Sequence, residues 1–161
     1  MSAVALFYQL PKSAIDGLRE VAVPKKQWLG APKDEFWEYL KQHGREVANY
    51  PGSGYVLGDV MDWLQQEHRI ELERSRYEEL CNFVGQARGS THCILSIEHQ
   101  RAHLERLDPE AFSNEEFLRY YNEFHGTHET DLGSALSDGI ETLRQALMTV
   151  DENSVVFMII G

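Results

Sequence analysis

At 161 residues the chain has the length of one ordinary domain, and 42% hydrophobic with 25% charged residues is the balance of a globular protein rather than a disordered one. A net charge of −11 argues against the basic stripe that nucleic acid requires, and no apolar run reaches the ~20 residues of a bilayer span. Two cysteines, Cys81 and Cys93, are too few for a disulfide framework and read as buried free thiols.

Met1 to Leu10 has no basic segment leading into an apolar core and cleavage site, so no signal peptide is expected and the expected compartment is the reducing cytoplasm. The charge is unevenly placed. All five lysines (Lys12, Lys25, Lys26, Lys33, Lys41) precede residue 42, so Met1 to Arg45 carries +2 and the remainder −13.

Ala3 to Leu10 reads as a strand covered on both faces, stopped by Pro11. Ser13 caps a short helix to about Val21, and Val23 to Ala31 is a loop with an isolated Trp28. Pro32, Asp34 and Glu35 open a helix whose sheltered face holds Phe36, Trp37, Leu40 and Val47. Asn49 to Gly54 breaks the chain.

Helices are expected from about Gly58 to His68 and from Glu71 to Gly85. Cys93 to Leu95 is a short extended piece, after which Ser96 caps a helix to about Leu107. Ser113 and Glu116 have capping-box spacing, and Phe117, Tyr120, Tyr121 and Phe124 form an aromatic face behind them. Leu132, Leu136, Ile140, Leu143 and Leu147 lie on one side of a long helix covering about Asp131 to Thr149, and Ser154 to Ile160 is the closing strand.

These elements predict one α+β domain over residues 1–161. It is mainly helical, with five to six helices packed on a small sheet that contains the N-terminal and C-terminal strands. The direction of strand pairing is left open.

Three stretches, VALFYQLPKSAIDGLRE, LSIEHQRAHLERLDPEAF and SVVFMIIG, resemble the YfbM-like bacterial proteins, a family of small cytosolic domains with no assigned function. The order of elements in the last 70 or so residues is similar too. The resemblance implies the fold and no activity.

Five of the seven histidines fall between His92 and His128. His99 and His103 stand four apart on an expected helix, which puts both rings on one face. His125 and His128 follow on a turn, and together the four are candidate ligands for a divalent transition metal such as zinc, iron or nickel. Gln100 stands where a zincin has its catalytic glutamate, so the base of that chemistry is missing. Gly52-Ser53-Gly54 lacks the spacing of a nucleophile elbow, and the neighbours His92 and Cys93 on an extended chain point to opposite faces.

The first expectation is therefore a non-enzymatic, acidic, cytosolic protein-binding module that needs no cofactor and touches neither nucleic acid nor membrane. Its partner is another protein or a second copy of the chain. The alternative is a metal-dependent, hydrolytic enzyme using the histidines between His92 and His128. Trp28, Tyr50 and Tyr55 would mark an interaction surface if they stood exposed together.

Overall fold

The computed structural model describes residues 3–161. Along the chain run β1 (Ala5–Pro11), α1 (Gly17–Ala22), α2 (Phe36–His43), β2 (Arg45–Asn49), α3 (Gly54–His68) and α4 (Glu78–Arg88). They are followed by β3 (Thr91–Leu95), α5 (Ile97–His103), α6 (Asn114–His125), α7 (Ala135–Met148) and β4 (Ser154–Ile160). The chain is α+β and mainly helical, with seven helices against one antiparallel sheet of order β2-β1-β4-β3 among the described residues. The two terminal strands lie side by side at its centre, paired from Ala5 with Ile160 to Pro11 with Ser154.

Alternation along the strands builds two cores. Ala5 and Phe7 of β1, Cys93 and Leu95 of β3, and Val156, Met158 and Ile160 of β4 face α3, α5, α6 and α7. Leu10, Ile94, Val155, Phe157 and Ile159 face α1, α2 and α4. Every residue of β4 is buried, as expected of a central strand with helices on both sides.

Several local readings change. The helix expected through Val47 ends at His43, where the amide of Gly44 closes on Leu40, and Arg45 to Asn49 becomes the edge strand β2. Gly44 is needed there because a Cβ would stand 2.6 Å from Leu10 and 2.8 Å from the carbonyl of Gln9. α3 begins at Gly54, four residues earlier than expected. Glu71 to Tyr77 is not helical: the Glu71 carboxylate accepts the amides of Glu73 and Arg74, and Ser75 Oγ accepts that of Tyr77, local bonds that compete with a helical turn. Trp37, placed inward by spacing, is 40% exposed at the start of α2.

Candidate functional site

The structure does not gather the four histidines into one ligand set, and the described residues contain no group of three or more His, Cys, Asp or Glu arranged to hold a metal ion. His99 is buried and its ring is committed at both ends. Nδ1 accepts the backbone N–H of Ser96 at 3.0 Å, and Nε2 donates to the carbonyl of Arg74 at 2.8 Å. Ser96 caps α5 as expected, but the reciprocal half of the capping box, ordinarily a Glu or Gln, is this imidazole. The ring also ties the 70–76 segment to the start of α5. Serine followed three residues later by a side chain able to accept is visible in the sequence at Ser96 and His99, where the four-residue spacing of His99 and His103 also reads as a metal-ligand pair.

His103, one turn on, is half-buried, with Nδ1 lacking a hydrogen-bond partner. Burial, Arg106 and His99 all hold its pKa below the usual histidine range. His125 lies on α6 and meets Asp59 of α3 at 3.0 Å. Asp59 is nearly buried, which raises its carboxyl, and His125 opposes that rise. His128 is exposed on the turn beyond α6. The four histidines are thus divided among a helix cap, a half-buried ring, a polar pair and solvent.

His92 and Cys93 do point to opposite faces. His92 stacks on Phe157 with centroids 5.0 Å apart and planes 6° apart, and burial holds it down to about 4. Burial pushes the Cys81 thiol up to about 12 and Cys93 well above its ordinary value, so neither supplies a thiolate at neutral pH.

The feature that stands out lies between α1 and α2. Lys25 and Lys33 exchange both backbone hydrogen bonds at 3.0 Å, closing a loop whose tip turns at Gly30, φ 103°. Below the bridge, the Glu35 carboxylate takes Lys25 Nζ on one oxygen and Lys33 Nζ on the other, both at 2.7 Å. The two ammonium groups hold that carboxyl down to about 2. Asp34 accepts both terminal nitrogens of Arg88, at 2.9 and 2.8 Å, together with the amide of Phe36. Arg88 lies 4.5 Å over the Phe36 ring, so this fork fastens the stalk to α4.

At the tip of this braced stalk, Trp28 is 98% and Leu29 80% exposed. Surface ion pairs contribute about 0–1 kcal/mol each, so the brace sets geometry more than it adds stability. Burying a large apolar side chain is worth roughly 3 kcal/mol, and here the two largest apolar side chains of the loop forgo it. Among the described residues nothing covers them. Lys26 stands exposed beside them, which makes the tip an apolar point with one lysine at its side on a chain of net charge −11. Tyr50, weighed with Trp28 from the sequence, is instead buried, whereas Tyr55 is 60% exposed.

Compared with protein-family models, curated proteins and solved structures, the chain matches none.

Proposed function

We propose that the chain is a non-enzymatic protein-binding module and that the loop from Val23 to Glu35 is its binding finger. The observation that carries the reading is the near-complete exposure of Trp28 and Leu29 on a stalk fixed by a backbone bridge and by the Asp34 and Glu35 ion pairs. Tryptophan is the side chain most enriched among residues that dominate interface energies. A tip already held in one shape loses little conformational entropy when it docks. The acidic remainder of the chain supports solubility and adds selectivity for partners by charge.

The reading places the module in the cytoplasm, where two buried unpaired thiols are at home. It is a domain of the YfbM-like kind, on the strength of its sequence resemblance alone. No helix of the described residues is long and apolar enough to cross a membrane.

The test is affinity capture with the intact chain and with Trp28→Ala/Leu29→Ala from an extract of the source cells. A specific protein retained by the first and lost by the second, with equal thermal unfolding of the two baits, is the expected result. The same retained set with both baits contradicts the reading.

A further inference from the structure

The chain also carries a mostly apolar groove on another face. Between the N-terminal ends of α3 and α7 opens a groove of about 440 Å³, lined mostly by apolar surface from Tyr50, Val56, Leu132 and Ala135. The carboxylate of Asp138 stands at its side, bonded to Ser134 Oγ at 2.5 Å. Tyr50 forms the floor, its hydroxyl donating to the carbonyl of Ala135 at 3.2 Å. Tyr55, next to the lining residue Val56 on the first turn of α3, is itself 60% exposed.

Resting on the binding-module reading, we propose that the occupant of this groove is the Trp28–Leu29 tip of a second copy of the chain. The size fits an indole with a leucine beside it. The charges are complementary, because Lys26, the finger lysine that Glu35 does not hold, faces a groove bordered by Asp138 and the adjoining Asp131. An anionic bilayer is the weaker match to the same tip, because Glu35 already neutralises Lys25 and Lys33.

Finger and groove lie on opposite sides of the sheet, the finger with α1, α2 and α4 and the groove with α3 and α7. One copy therefore uses both at once. The contact is heterologous and joins copies head to tail.

Sedimentation velocity of the intact chain over a wide concentration range tests this. The expected result is a weight-average mass that rises past the dimer with concentration and falls with added salt. Trp28→Ala and Val56→Glu should each weaken self-association at least about tenfold, as loss of a central anchor does. Mixing these two variants leaves one intact finger and one intact groove, so the mixture should form heterodimers and stop there. Leu132→Glu serves as the groove variant if Val56→Glu unfolds by circular dichroism.

Monomers at every concentration overturn the proposal, as do assemblies indifferent to both substitutions. So does a chain monomeric in solution that binds phosphatidylglycerol vesicles through Trp28. A monomeric chain that captures a different protein in a Trp28-dependent way sinks the self-contact and leaves the binding-module reading standing. Absence of both sinks both.

Discussion

His99 and His92 show how much a single ring is asked to do. His99 satisfies a helix-start amide and a loop carbonyl with its two nitrogens, inside the core. Replacing it with alanine leaves both groups without partners, and buried unsatisfied groups cost about 1–3 kcal/mol each. Denaturant melts should show His99→Ala destabilised by about 2–4 kcal/mol and His103→Ala by much less, its Nδ1 having no partner to lose. Equal losses would mean that His99 is not the cap described.

His92 contributes to the acid side of the stability curve. Its folded pKa is lowered to about 4, while an unfolded histidine protonates near 6.5. Between those values the unfolded chain holds more protons, so stability is full above pH 6.5 and declines as pH falls toward 4. The span amounts to about 3 kcal/mol. His92→Phe keeps the stack on Phe157 and removes the proton, so its urea midpoint should vary less between pH 7 and 4.5 than that of the parent chain. An unchanged slope would assign the acid sensitivity elsewhere.

At the scale of elements, short contacts set by glycine hold the α1–α2 layer together. A Cβ on Gly17, at the start of α1, would meet Tyr39 Oη at 2.1 Å, and that hydroxyl donates to the carbonyl of Ala14 at 2.7 Å. Gly17→Ala must therefore displace the ring and break this bond, at a cost of about 1–3 kcal/mol in thermal or urea unfolding. A neutral substitution would show that α1 and α2 slide apart freely.

The elements that the sequence made legible are those with a strong period or a firm stop. Examples are β4, with seven consecutive buried residues, α7 with its leucine stripe, and the caps at Ser96 and Ser113. Illegible were β2, whose Arg45 and Glu46 are the charges an exposed edge strand carries, and the 71–77 segment, where helical spacing lost to local bonds from Glu71 and Ser75. The finger was half visible: an isolated tryptophan in a loop marked the place. Its brace depends on Arg88, 54 residues from Asp34, a pairing that no local pattern announces.

For the whole molecule, the sheet joins the two ends of the chain at its centre and presents different surfaces on its two sides. One side carries the finger and the other an apolar groove with a carboxylate at its edge. The central claim is that Trp28 stands in water in the free chain and is covered only when a partner arrives. Fluorine NMR of protein labelled with 5-fluorotryptophan reads this directly, because the three tryptophans give three resonances and Trp28→Phe identifies one. In dilute protein the account predicts a full H2O-to-D2O isotope shift for the Trp28 resonance and almost none for the resonance of buried Trp63, with the Trp28 shift shrinking once the finger is occupied. A Trp28 resonance as insensitive to solvent as Trp63 in the dilute chain would place the tip against its own fold and contradict the account.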